Sequence, residues 1–184
     1  PPPPPHPRYH SDPFAGGCEI MMRLIRASAL LLALVITGCG TNPPAVEVPA
    51  TFDLSGNWQL VPGQSDVPPT LLQLRARGGF LHLVTSDFCT LEARALRIEQ
   101  DARSMGIACD AGTWRDVSWG ERRRGLWVVQ AGWLQDALVI LSKAEDANAS
   151  ETFRLDGNRV LTILIELEAG GERIAITRTY TRTE

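Results

Sequence analysis

From Thr51 onward, apolar and polar residues alternate along the chain with a period of two rather than 3.6. In "RVLTILIEL", Leu161, Ile163, Ile165 and Leu167 fall on one face, and Thr162 and Glu166 on the other. "ERIAITRTYTR" sets Ile174, Ile176, Arg178, Tyr180 and Arg182 on one face, and Ala169-Gly170-Gly171 joins the two runs into an antiparallel hairpin. Further strands are predicted at "GNWQLV", "LLQLRA", "GFLHLVTS", "SMGIAC", "TWRDVSW", "LWVVQA", "WLQDALVILSK" and "ETFRLDGN", the last ending in the Asp156-Gly157-Asn158 turn. Breakers punctuate these runs at Pro68-Pro69, Gly78-Gly79, Gly112, Gly120, Gly125 and Gly132. Nine or ten short strands with short turns predict an all-β sandwich or up-and-down barrel, and a barrel leaves no exposed edge. "TLEARALRIEQDARS" alternates poorly. Leu91, Ala95 and Ile98 also fit a helical stripe, so residues 90–103 stay open between strand and helix, with strand the leaning.

The chain before Thr51 is of another kind. Met22-Arg23-Leu24-Ile25-Arg26 is a basic start, and the apolar run Ala27–Ile36 follows it. That run is about half the roughly twenty residues a membrane-spanning helix needs, so it reads as the apolar region of a secretory signal. "VITGCG" then places Thr37 and Gly38 immediately before Cys39. This order resembles the lipobox of bacterial lipoproteins, which implies cleavage before Cys39, diacylation of its thiol and attachment to a membrane through that lipid. Gly40, where the enterobacterial sorting pattern would need aspartate to retain the protein at the inner membrane, implies the outer membrane with the domain facing the periplasm. Residues 1–21 lack apolar periodicity and are expected to be a non-translated or disordered extension, so His6, His10 and Cys18 carry no weight as metal ligands. The expected organisation is a signal over residues 22–38, a lipidated Pro-rich tether over 39–50 and one barrel domain over 51–184. Fully extended at roughly 3 Å per residue, such a tether spans on the order of 30 Å.

Charge and cysteine usage narrow the function. From Cys39 onward there are 15 basic and 19 acidic residues, a net charge of −4 that argues against nucleic acid as the main partner. A lipoprotein signal delivers the domain to an oxidising compartment, where two free thiols would be unusual. Cys89 and Cys109 are therefore expected to form a disulfide across a separation of 20 residues. A metal site has no support: His82 is the sole histidine after Cys39, and no Cys-x-x-Cys occurs. No cofactor is expected.

The opening "DLSGNWQLVPGQSDVPP" resembles the first strand and loop of bacterial lipocalin-like domains, and "SETFRLDGNRVLTILIELEAGGERIAITRTYTR" resembles their closing strands, ending in Tyr180-x-Arg182. The resemblance implies an antiparallel barrel without enzyme activity. It also implies a structural floor in which Trp58, two residues after Gly56, packs against a last-strand arginine, Arg178 or Arg182. Two other families compete. Small heat-shock lipoprotein domains share the Leu-x-Gly-x-Trp opening and a cysteine pair, although Phe88 and Thr90 flank Cys89 where they carry Gly-Cys-Asn. Periplasmic protease-inhibitor barrels share the Gly-x-Trp opening and a disulfide.

No catalytic residue is expected. A general base needs a partner within hydrogen-bond reach, for which the sequence around His82 carries no signal, and no nucleophile elbow or metal motif occurs. The "NAS" sequon at Asn148 has no bearing on a bacterial lipoprotein. Arg122, Arg123 and Arg124 in "WGERRRG" are expected at a hairpin tip, either as an anion contact (lipid headgroups, lipopolysaccharide phosphates or a partner's acidic patch) or as a solvated turn. Trp114, Trp119, Trp127 and Trp133 either line a cavity for a small hydrophobic ligand or fill the core of a small barrel. The expectation is a lipid-anchored, non-catalytic barrel that binds such a ligand, or else one that acts on an envelope protein through its surface.

Overall fold

The computed structural model describes residues 43–76, 81–110 and 112–183. Cys39, the expected signal, His6, His10, Cys18 and the Gly78-Gly79 turn lie outside the described residues. The ten strands are β1 (Gly56–Leu60), β2 (Ala95–Gln100), β3 (Ser104–Cys109), β4 (Thr113–Ser118), β5 (Gly120–Arg124), β6 (Trp127–Leu134), β7 (Ala137–Lys143), β8 (Ala147–Asp156), β9 (Val160–Ala169) and β10 (Glu172–Thr183). They form one antiparallel sheet in the order β4-β3-β2-β1-β10-β9-β8-β7-β6-β5. This is a nearly closed up-and-down barrel. The first strand pairs with the last, Trp58 opposite Arg182 and Leu60 opposite Tyr180. Among the described residues one seam stays open: β4 pairs only with β3 and β5 only with β6, although Trp119 alone connects the two.

Alternation sets the faces. Leu161, Ile163, Ile165 and Leu167 of β9 point inward with Ile174, Ile176, Arg178 and Tyr180 of β10, as the period of two requires. The Gly170-Gly171 turn has φ of 58° and 81°, a left-handed backbone that glycine adopts without steric cost.

The end of the barrel built from the start of β1 is a floor. Trp58 is 1% exposed, its indole N–H donates to the Leu54 carbonyl at 2.8 Å, and the Arg182 guanidinium lies 4.5 Å from its ring centroid. Arg182 also donates to the carbonyls of Asp53 and Ser55, which ties the entry of β1 to the exit of β10. Gly56 has φ of +131°, and a Cβ there would meet the Arg182 guanidinium at 3.4 Å, so the glycine gives both the backbone geometry and the space. Of the two candidate arginines the floor uses Arg182; Arg178 lies at the other end.

Several elements differ from expectation for local reasons. "LLQLRA" and "GFLHLVTS" are not strands. They belong to a helical insert between β1 and β2: α1 (Leu71–Ala76), α2 (Leu81–Val84) and 3-10 turns at Thr85–Asp87 and Cys89–Leu91. Thr70 Oγ accepts from the Gln73 N–H and Gln73 Oε1 accepts from the Thr70 N–H, a capping box that starts α1. In α2 the buried residues are Leu81 and Val84, three apart, while Leu83 is exposed: helical spacing read over too short a window. Residues 90–103 divide into the second 3-10 turn and strand β2, with Leu96 and Ile98 inward. "WLQDALVILSK" is broken by a turn at Gln135, whose φ is +56°.

Gly132 is not a breaker but lies inside β6, because the chain crosses there. Ala45 forms a two-hydrogen-bond bridge with Trp133, and a Cβ on Gly132 would meet the Ala45 carbonyl at 2.4 Å. The last part of the segment expected as a tether, residues 43–50, is thus held at the floor end, with Pro44 buried.

Cys89 and Cys109 form a disulfide with Cα atoms 6.0 Å apart, joining the helical insert to β3. Replacing Arg182 by methionine should cost about 2 kcal/mol in urea unfolding, combining a cation–π contact with lost hydrogen bonds to two carbonyls. Reducing the disulfide should cost on the order of 3 kcal/mol by the same measurement.

Candidate functional site

The end opposite the floor is where polar chemistry enters the barrel. Arg115, on the inward face of β4 opposite Ile107, is 2% exposed and forms a two-pronged ion pair with Glu151 of β8, itself 0% exposed. Thr90 of the helical insert donates to the same carboxylate at 2.6 Å. The Arg115 guanidinium also lies 5.6 Å from the Phe88 ring centroid, and its Nε is buried without a partner. The sequence signal for both charges was available: Arg115 is in phase with Val117, and Glu151 with Ala149 and Phe153, so each sits on an inward face.

Arg178 and Tyr180 of β10 are committed to holding the insert. Arg178 donates to the carbonyls of Asp66 at 2.8 Å and Ala93 at 3.0 Å, and the Tyr180 hydroxyl donates to the Ala93 carbonyl at 3.0 Å. Burial raises the Tyr180 phenol above its ordinary pKa. Asp87 of the insert accepts from the Trp127 indole N–H at 2.8 Å, and Phe88 packs edge-on to Trp127 with centroids 5.4 Å apart.

Between the insert and the β5–β6 turn lies a cavity of about 280 Å³. Phe88, Trp127 and Val129 supply its apolar wall, and Arg115, Arg124, Asp87 and Ser142 its polar groups. Desolvation, with the neighbouring Arg115 charge, lowers the pKa of Arg124 from its ordinary value. The rim is Gly125 and Leu126, the latter 85% exposed. A second cleft of about 350 Å³ runs along the open seam, lined by residues 114–118 of β4 and 122–124 of β5, and it shares Arg115, Arg124 and Val129 with the first. Three larger clefts lie elsewhere: about 500 Å³ beside the disulfide and about 750 Å³ against the 62–70 loop, both walled largely by loop residues, and about 390 Å³ along residues of β7, β8 and β9.

The expected site residues thus scatter. Arg122, Arg123 and Arg124 do not form a hairpin tip: they are strand residues of β5, and the turn is Gly125-Leu126. Register puts Arg122 and Arg124 opposite Val129 and Trp127 on the inward side, with Arg123 on the outer side. Of the four tryptophans, Trp127 alone lines the cavity under the insert. Trp119 and Trp133 pack against each other at 4.6 Å, and Phe52 packs on Trp133 at 6.1 Å, filling the floor end. Trp114 is on the outer face, 47% exposed, lying over Gly106 and donating to Asp116 at 2.8 Å. His82 is half-buried on α2. Among the described residues, no group of three or more His, Cys, Asp or Glu side chains is placed to hold a metal ion.

No family model and no curated protein matches the chain. Among solved structures it is similar to the wild-type fluorescent protein UnaG, at 18% identity over 71% of this chain and 97% of that one, with a TM-score of 0.45. It is similar to Echinococcus granulosus fatty-acid-binding protein 1 at 10% identity over 71% and 98% of the two chains, with a TM-score of 0.48.

Breaking the buried pair should be costly in either direction. Arg115→Met or Glu151→Gln alone should each lower stability by about 3–5 kcal/mol in urea unfolding, whereas the double change Arg115→Met/Glu151→Leu should come close to neutral. The raised phenol pKa of Tyr180 contributes stability that is fully present below the unfolded-state value of about 10 and is lost as pH rises above it. The urea midpoint of the protein should therefore fall above about pH 10, and less steeply in Tyr180→Phe.

Proposed function

We propose that this chain is a lipid-anchored protein of the bacterial cell envelope, held through Cys39 at the outer membrane and facing the periplasm, whose barrel is a non-catalytic binding module for a small hydrophobic ligand with a negatively charged group. The anchor and the location rest on the order of basic start, apolar run, small residues and cysteine over residues 22–39. The observation that carries the ligand reading is the cavity under the helical insert, which sets an aromatic wall of Phe88 and Trp127 against the Arg124 guanidinium. Alone it lies near the lower end of the volumes that hold small ligands, and the adjoining seam cleft extends it. A ligand with a compact acidic group would set that group at Arg124 and its apolar body against Trp127. Arg115 is already neutralised by Glu151, which leaves Arg124 as the cation for the ligand.

A second reading has its own support. Trp58, Tyr180 and Phe153 are among the largest fully buried side chains, and with the buried aliphatic residues of the strands they favour an interior filled by its own side chains. That favours a barrel acting on an envelope protein through its surface, in the manner of the heat-shock lipoprotein or inhibitor barrels.

Titration with anilinonaphthalene sulfonate, an aromatic anion that suits the cavity, separates the two. The ligand reading expects saturable fluorescence enhancement that weakens by roughly tenfold in Arg124→Ala, the loss of one charge-assisted hydrogen bond, and comparably in Trp127→Ala. Enhancement that is absent, or unchanged in both variants, would reject it. Native mass spectrometry of the purified protein should show a co-purified acidic lipid if the natural ligand is one.

A further inference from the structure

We propose that the open seam between β4 and β5 is a docking site for an extended acidic segment of another protein, which enters as an additional strand and completes the barrel. The proposal goes beyond the small-ligand reading: it shares Arg124 and the seam cleft with it and adds Arg122, Arg123 and the two unpaired strand edges.

The backbone makes the first argument. Among the described residues, every strand except β4 and β5 has a partner on both sides. Each of these two therefore presents a row of peptide N–H and C=O groups that no neighbouring strand satisfies, and among the described residues no backbone hydrogen bond joins them. An incoming strand at an ordinary sheet edge satisfies one row; here it satisfies two at once. The strands run antiparallel to each other, joined by Trp119, so the guest would lie parallel to one and antiparallel to the other. The cleft of about 350 Å³ between residues 114–118 and 122–124 is the space it would enter.

Charge makes the second argument and selects the guest. Arg122, Arg123 and Arg124 are consecutive and exposed, so guanidinium groups flank the seam on both its inward and outward sides. The one carboxylate lining the cleft, Asp116, already accepts the Trp114 indole N–H, and Arg115 is held by Glu151. Acidic side chains at alternate positions of a guest strand all fall on one of its faces, and whichever side of the seam that face takes, at least one arginine is there to meet them. A second copy of this chain, by contrast, would bring three arginines against three arginines. Arg122 and Arg123 line the seam but not the cavity under the insert, which makes the two sites separable by mutation.

The test is fluorescence anisotropy of a labelled heptapeptide of alternating valine and glutamate, titrated with the purified protein. Saturable binding is expected, weakened at least tenfold by Arg122→Glu/Arg123→Glu and unchanged by Arg97→Glu/Arg154→Glu, whose arginines are exposed on strands elsewhere. A peptide with proline in place of its central valine, unable to donate to the ladder, should not bind. Hydrogen exchange should slow at amides of β4 and β5 when the peptide is present. If charge reversal shifts the urea midpoint, Arg122→Gln/Arg123→Gln replaces it. Retained dye binding in the variant that loses the peptide supports a separate seam site. Absence of saturable binding, equal binding of the proline peptide, or loss of dye and peptide together would each overturn the proposal. So would sedimentation of the protein with phosphatidylglycerol vesicles in the absence of peptide binding.

Discussion

A barrel that leaves one seam unpaired must hold its free edge by something other than a hydrogen-bonded ladder. In this protein the Arg115–Glu151 pair does that work. It reaches from β4, which has a neighbour on one side only, across the interior to β8 in the far wall, and Thr90 brings the helical insert onto the same carboxylate. A buried ion pair is a poor source of net stability compared with apolar residues of the same volume, but it is unforgiving of displacement, since either charge left alone in the interior is strongly disfavoured. It therefore fixes three elements relative to one another: an open edge, a closed wall and the insert. The cavity beside it exists in that position because those three elements cannot drift.

The two ends of the barrel divide the labour. At the floor, Trp58, Arg182, Trp119 and Trp133 fill the interior, and the chain enters through a bridge from Ala45. At the other end the disulfide holds the insert to β3, and Arg178 and Tyr180 hold it to β10. Apolar packing dominates the first end and directed polar contacts the second. The cavity under the insert lies where the polar contacts concentrate.

Much of this was legible in the sequence, and the parts that were not have physical reasons. The closing strands were readable because β8 to β10 are long, and alternation over ten or more residues has no helical rival. The Cys89–Cys109 pairing followed from the count of cysteines and the oxidising compartment that the expected signal implies, and the floor tryptophan from a resemblance. The helical insert was missed because its helices are six and four residues long, too short for a period of 3.6 to declare itself; the Thr70–Gln73 capping box was the better signal. The arginine run was misplaced because glycine and charge suggest a turn, whereas β5 is an edge strand, where arginines are tolerated because one side faces water. The inward charges Arg115 and Glu151 were visible as polar residues in phase with apolar ones. Their meeting was not, because β4 and β8 are separated by most of the barrel's circumference in strand order.

The single-residue link at Trp119 has a mechanical consequence. Its N–H donates to the Arg103 carbonyl, its indole to the Asp101 carbonyl, and its ring is packed on Trp133, so it is held on all sides. With their common corner pinned and β4 held by the Arg115–Glu151 pair, the two strands cannot slide apart as parallel rails; any opening of the seam is a swing of β5 about that point, like one blade of a pair of shears. A given rotation then displaces the far ends most, beside Arg124 and the insert, and the corner least. The width of the seam and the access to the cavity under the insert are one angular coordinate, with the tryptophan as its pivot.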